Sequence, residues 1–132
     1  MKYSITQNGT PLDKKLYTLD EETKTFSSSE NNLVLDFGSE SYCTFKTGSG
    51  CTFKTDSDCT FKTGYDCTFK TGYDCVVVRR DVYEVIELKE NVKIKLNEYS
   101  IKGYTKVEEE PTEMTIKQIE EKLNITGLKI IN

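Results

Sequence analysis

The sequence predicts a mainly β fold: a short-repeat β-solenoid with two octads per coil, capping strands and a short C-terminal helix. The main observation is internal repetition, because cysteine recurs at every eighth position from 43 to 75. In each of the four obvious octads, the strand-forming residues C-T-F-K-T precede three turn residues drawn from Gly, Asp, Ser and Tyr. Alternating apolar and polar residues also flank the repeat.

The repeat extends beyond these four octads. Leu35 and Phe37 occupy the Cys and Phe positions of a degenerate upstream unit, and Tyr83 and Val85 occupy them downstream. Seven units therefore begin at positions 35, 43, 51, 59, 67, 75 and 83. Successive side chains of a strand point to opposite faces, so the first and third residues of each unit share the buried face. The predicted core is Leu35, Phe37, Cys43, Phe45, Cys51, Phe53, Cys59, Phe61, Cys67, Phe69, Cys75, Val77, Tyr83 and Val85.

Two architectures fit this pattern. An antiparallel meander would join the strands by three-residue hairpins, but one wide face of its sheet would be left uncovered. A β-solenoid stacks equivalent units, and near-identical repeats favour it. Each octad supplies one strand and one corner, so a flattened coil takes two octads. The units at 43, 59 and 75 would then form one sheet and those at 51 and 67 the opposing sheet.

The flanking segments are expected to cover the ends of the solenoid, where strand edges are exposed. Residues 1–34 form N-terminal capping strands, 35–90 the octad solenoid, and 91–107 C-terminal capping strands. Residues 108–132 comprise a linker, a short helix and a final strand. The helix begins near Thr115, which has capping-box spacing to Gln118. Because so short a helix is unstable alone, it must pack on the solenoid, a neighbouring chain or a partner.

Five cysteines suggest a metal site or disulfides, but their uniform spacing of eight and the absence of His from the chain do not fit structural zinc. A reduced ladder in the core is the favoured interpretation, because buried cysteine behaves as a small apolar residue. No metal and no cofactor is therefore expected. We also expect no catalysis, since no nucleophile elbow, P-loop or dinucleotide motif occurs.

The outward face of each octad carries Thr and Lys, which predicts a solvated surface. Stacked Thr raises the alternative of an ice-binding solenoid, although hydrated ammonium groups oppose it. The net charge is −4 and no segment is strongly basic, so nucleic acid is not an expected partner. No apolar run is long enough for a membrane helix, and the first twenty residues lack a signal-peptide core. A cytoplasmic protein with no membrane partner is therefore expected.

Two groups of residues are candidates for interaction. Tyr65 and Tyr73 occupy equivalent turn positions in consecutive octads and should lie at opposite corners of a coil. Aromatic side chains at loop tips are frequent contact residues, although they also serve to cover a corner. In the predicted C-terminal helix, Ile116, Ile119 and Leu123 fall on one side and need a partner surface. The run of Arg79, Arg80 and Asp81 is expected to mark the exit of the preceding apolar strand into solvent.

The Cys-Thr-Phe-Lys-Thr-Gly octads, with the following CVVVRRDVYEVIELKENVKIKLNEYSIKGY, resemble small uncharacterised proteins of bacteriophages and prophages. The resemblance implies the cytoplasm of an infected or lysogenic bacterial host, or the virion. It brings no functional residues. A rigid solenoid suits recognition, so the expected function is non-enzymatic protein–protein interaction, as an inhibitor or adaptor docking on a bacterial host protein. The alternative is a virion or assembly component that self-associates as a homo-oligomer. An enzyme using carboxylates in a cleft is a third, more distant hypothesis.

Overall fold

The structure is a computed structural model and describes residues 1–108. The bounds of its strands are β1 Ser4–Gln7, β2 Thr10–Pro11, β3 Thr18–Asp20, β4 Thr25–Ser27, β5 Leu33–Phe37, β6 Thr44–Lys46, β7 Thr52–Thr55, β8 Thr60–Thr63, β9 Thr68–Lys70, β10 Cys75–Arg79, β11 Glu84–Leu88, β12 Ile94–Leu96 and β13 Tyr104–Lys106. A 3₁₀ helix spans Lys14–Leu16. The predicted helix carrying Ile116, Ile119 and Leu123 lies outside the described residues.

The strands form two sheets. Sheet A has the order β13-β12-β9-β7-β5-β1-β2, and sheet B has the order β11-β10-β8-β6-β4-β3. From β4 to β10 successive strands alternate between the sheets, and strands of the same sheet run parallel. Phe45 lies opposite Phe61 and Phe53 opposite Phe69, so one coil takes 16 residues, or two octads. The predicted solenoid and its division into odd and even units are confirmed, with about three turns.

Aromatic ladders fill the space between the sheets. Phe45 stacks on Phe61 with ring centroids 5.1 Å apart, and Phe53 stacks on Phe69 at 5.0 Å. Rings from opposite sheets meet edge to face, as Phe53 and Phe61 do at 5.0 Å. All four rings are at most 1% exposed. Stacked and edge-to-face geometries are both favourable for aromatic pairs, so one residue type satisfies contacts within and between the sheets.

The inward Cys and Thr residues bond the backbone at the corners. Each of the five cysteines is a buried free thiol. The Cys59 thiol, for example, lies 3.5 Å from the carbonyl oxygen of Ser57 and 3.8 Å from that of Glu40 in the preceding coil. Likewise, the hydroxyl of Thr63 donates to the carbonyl of Gly64 at 3.1 Å. The octad therefore places a donor at each end of its strand, where carbonyl groups turn inward.

Antiparallel strands cover both ends of this parallel stack. At the N-terminal end, β1 pairs with β5 and β3 with β4. The β1–β2 hairpin turns at Asn8 and Gly9, both with positive φ, as the Asn-Gly signal predicts. At the C-terminal end, β11 pairs with β10 and β12 with β9. The parallel stack itself begins at β4, upstream of the boundary predicted at residue 35.

The register of the upstream unit differs from the prediction. Leu35 and Phe37 are buried as expected, but Leu35 lies opposite Phe53 and Phe37 opposite Thr55. They therefore occupy the third and fifth positions of the unit instead of the first and third. A shift of two residues keeps both side chains on the inner face, because the period of a strand is two. The longer corner between Phe37 and Cys43 takes up the two residues.

The seventh predicted unit is wrong. Tyr83 is 90% exposed and Val85 is 65% exposed, whereas Ile86 and Leu88 are buried. The chain reverses after β10, and β11 pairs antiparallel to it with Ile86 opposite Val77. This reversal changes the inward positions from odd to even residue numbers, so Tyr83 and Val85 leave the core.

Candidate interaction surface

An apolar patch lies on the solvent face of sheet B at the C-terminal end of the solenoid. On β10, Val76 and Val78 point outward and are half-buried, while Val77 between them is buried. Val85 of β11 lies directly opposite Val78. Tyr83, in the turn before β11, is the most exposed large hydrophobic residue described. We call Val76, Val78, Val85 and Tyr83 the valine patch.

The preceding coil carries polar side chains in the same positions. Val76 lies beside Thr60 and Val78 beside Lys62, which are the outward residues of the octad in β8. The sequence CVVVR in β10 therefore departs from CTFKT at both solvent-facing positions. This contrast was available in the sequence and could have revealed the patch, but the predicted seventh unit placed Val85 in the core instead.

Arg79 anchors the strand that carries the patch. It ends β10 and lies beside Thr63, at the inner corner position of the octad. Its side chain is fully buried, so the predicted exit into solvent at Arg79 is wrong. The guanidinium contacts Asp81 at 2.6 Å and donates to the carbonyl of Ile101 at 2.6 Å. These contacts compensate the cost of burying a charge.

The acidic partner of Arg79 is held in its ionised form. Burial tends to raise the pKa of Asp81, but hydrogen bonds from Arg79 and from the backbone N–H of Ser100 outweigh it and lower the pKa below its usual value. A second carboxylate, Glu84, lies 3.9 Å from Arg79 and accepts a hydrogen bond from the Gly103 N–H. The buried cation thus joins the β10–β11 hairpin, which carries the patch, to the loop between β12 and β13.

Arg80 fixes the same hairpin from the outside. Its guanidinium donates to the carbonyl of Lys62 at 2.9 Å and to that of Thr47 at 2.5 Å. These two acceptors belong to β8 and to the corner after β6, so one side chain bridges two successive coils. The two adjacent arginines therefore have different environments, one buried and one exposed, and both stabilise the C-terminal end.

The predicted tyrosine pair is placed at two different corners. Tyr65 follows β8, on the way from sheet B to sheet A, whereas Tyr73 follows β9, on the way back. Tyr65 is half-buried and meets the ring of Tyr99 edge to face at 5.3 Å. Tyr73 is 55% exposed. The structure does not bring the two tyrosines together, and Tyr65 covers a corner while Tyr73 remains available for contact.

Hydrogen bonds between neighbouring thiols move the pKa values of the cysteines in opposite directions. Hydrogen bonding to Cys51 and burial raise the pKa of the Cys67 thiol, and the same two causes, with Cys59 as the neighbour, raise that of Cys75. Conversely, the hydrogen bond with Cys67 lowers the pKa of Cys51 to about 7, and the hydrogen bond with Cys59 lowers that of Cys43. All five thiols are buried, so reagents have little access to them. Among residues 1–108, no group of three or more His, Cys, Asp or Glu side chains is arranged to hold a metal ion. No helix in this part of the chain is long and apolar enough to cross a membrane.

Comparison of the chain with protein-family models, with curated proteins and with solved structures finds no match.

Proposed function

We propose that this chain is a non-enzymatic, phage-type protein that acts through protein–protein interaction, as a small inhibitor or adaptor docking on a bacterial host protein. The phage setting and the cytoplasm of the host rest on the resemblance carried by the octad block. The docking role rests on one observation, which is the valine patch on the solvent face of sheet B.

Exposure of these apolar side chains to water costs free energy. Fully burying one valine contributes about 1.5–3 kcal/mol, yet Val85 is 65% exposed in the isolated chain. The preceding octad has Thr and Lys at the positions of Val76 and Val78, so the solenoid does not require valine there. A partner that covers the patch would recover this free energy, and the contacts of Arg79 that hold the hairpin lower the ordering cost of binding.

Capture from a bacterial lysate tests the proposal. Tagged chain is compared with the double variant Val76→Thr/Val78→Lys, which gives β10 the outward residues of β8 and so preserves the fold. The natural chain should retain one host protein in stoichiometric amount at moderate salt. The double variant should retain at least about tenfold less, equivalent to about 1.4 kcal/mol.

The matched control is Val34→Thr. Val34 is 45% exposed on the solvent face of sheet A and lies beside Thr52, so this change also restores an octad residue. Its capture should equal that of the natural chain. No stoichiometric protein in the natural lane would refute the docking role, and equal capture by the double variant would refute the valine patch as its site.

A second candidate function is that of a virion or assembly component. The observation in its favour is that β11 and β13 end the two sheets at the C-terminal end within the described residues. Edge strands offer unpaired backbone groups to another chain, which would give a homo-oligomer. Purified virions should then contain the chain, and its absence from their peptide map would eliminate this candidate.

A further inference from the structure

A groove opens at the C-terminal end of the solenoid, between β11 of sheet B and β12 and β13 of sheet A. Its volume is about 300 Å³, and Leu88, Val92, Ile94 and Tyr104 contribute apolar surface to it. Leu88 lies opposite Cys75 and Ile94 opposite Phe69, so the floor of the groove is the last layer of the solenoid core. At this end the strands are paired within each sheet, and the groove lies between the two sheets.

The rim of the groove is only partly covered. Tyr104 is 46% exposed, and Val92 is partly buried against the core. Three charged residues also line the opening, and they are Glu87, Lys89 and Lys106. Terminal units of repeat proteins normally close the core with a polar outer surface. At the C-terminal end of this solenoid, a further element with an apolar inner face would complete that closure.

The chain leaves the described fold beside this opening. The backbone N–H of Val107 donates to the carbonyl of Lys93 at 2.8 Å, which holds the end of β13 next to the groove. Residues 109–132 follow Glu108, the last described residue. The six residues 109–114 can extend by roughly 20 Å. The apolar positions that follow are therefore within reach of the groove.

The sequence of that segment matches the groove in chemistry. Ile116, Ile119 and Leu123 have the spacing of one helix face, which suits an apolar floor. Glu120 would flank that face on a helix, and its charge is opposite to that of Lys89 and Lys106.

We infer that residues 115–123 pack this apolar face into the groove of their own chain and form the last cap of the solenoid. The inference does not depend on the proposed function, because the groove lies at the Leu88 end of β11 and Tyr83 lies at the other end. Ile116, Ile119 and Leu123 would then have a partner within their own chain. The valine patch would remain available to another protein.

Nuclear Overhauser contacts in the full chain test this placement. Methyl groups of Ile116, Ile119 or Leu123 should show cross-peaks to the methyls of Val92 or the ring of Tyr104. Ile119→Asp should remove them and accelerate amide exchange in β13 at least about tenfold, since the opening free energy of an edge strand falls when its cover is lost. Glu121→Ala, on the opposite side of a helix, should change neither the cross-peaks nor the amide exchange of β13.

Three results would overturn the inference. One is a full chain without cross-peaks between the segment and the groove. Another is cross-peaks that appear only between differently labelled copies in a mixed sample, which would make the occupant a second chain. The third is cross-peaks from the segment to Val78 or Val85, which would place it on the valine patch.

Discussion

Arg79 Nη2 and Asp81 Oδ2 lie 2.6 Å apart inside the C-terminal end of the solenoid, and both side chains are almost completely removed from solvent. The two residues are separated by one position at the point where the parallel stack ends and the chain reverses. A buried ion pair adds little net stability compared with apolar residues, but removing one partner leaves an uncompensated charge. The pair therefore fixes the reversal that exposes the valine patch.

Asp81→Asn is expected to destabilise the fold by about 3 kcal/mol, at the lower end of the range for breaking a buried pair, because the amide oxygen still accepts from Arg79. Urea unfolding at neutral pH measures this. Glu84→Gln is the control, since Glu84 is 3.9 Å from Arg79 and partly exposed, and it should cost less than about 1 kcal/mol. Equal costs for the two variants would contradict the assignment of Asp81 as the main partner.

Because of the same pair, the free energy of unfolding should depend on pH. The pKa of Asp81 is lower in the folded than in the unfolded chain, so its contribution is complete above about pH 4, the usual pKa of an unfolded Asp. The contribution is lost as the pH falls through the folded pKa. The difference in unfolding free energy between the natural chain and Asp81→Asn should therefore shrink in acid. A difference that stays constant from neutral pH to pH 3 would show that folding does not lower the pKa of Asp81.

Phe61→Ala is expected to cost about 3–5 kcal/mol, the usual range for a buried aromatic side chain. Phe61 stacks on Phe45 at 5.1 Å and meets Phe53 and Phe69 edge to face at 5.0 Å each. Its neighbour Lys62 is exposed, so Lys62→Ala should change the free energy by less than about 0.5 kcal/mol. A cost below about 1 kcal/mol for Phe61→Ala would be incompatible with the ladder.

Replacing the glycines at two successive corners by alanine should destabilise the fold by unequal amounts. An alanine Cβ at Gly64 would meet the hydroxyl of Ser49, which can rotate away. At Gly72 the alanine Cβ would meet the backbone nitrogen of Ser57 at 2.9 Å, and this backbone atom cannot rotate away. Gly72→Ala should therefore cost about 1–3 kcal/mol, as overpacking usually does, and Gly64→Ala less. Thermal unfolding of both variants checks the order, and the reverse order would mean that the corners stack differently.

The cysteine ladders predict resistance to thiol reagents. All five thiols are at most 3% exposed, so burial withholds even Cys51, whose pKa is lowered to about 7 by its hydrogen bond with Cys67. In the native chain, labelling should proceed only as fast as unfolding allows, whereas five thiols should react at once in denaturant. Mass spectrometry of a brief labelling reaction distinguishes these cases. Rapid native labelling of Cys51, Cys59 or Cys67 would contradict the buried ladder.

The sequence predicts the solenoid well because its octads are nearly identical, and equivalent residues such as Phe45 and Phe61 stack only when the coils are in register. The ends were less predictable, because there the period of eight is lost. Tyr83 and Val85 continue the period in the sequence, but the chain reversal after Arg79 moves them to the outer face.

The candidate site was harder to predict than the core for a related reason. Arg79 takes the inner corner position that Thr63 has in the previous coil, and no local pattern reveals that its charge is buried. Its partners, Asp81 and the carbonyl of Ile101, come from the turn and from a later loop. Only the three-dimensional arrangement shows that these contacts hold the valine patch in place.

Hydrogen exchange of the complex with the captured host protein tests whether the valine patch is the docking surface. Binding should slow exchange in β10 and β11, which carry Val76, Val78 and Val85, and should leave sheet A at Val34 unchanged. Protection confined to sheet A or to the corner at Tyr73, with β10 and β11 unaffected, would contradict the valine patch as the docking surface.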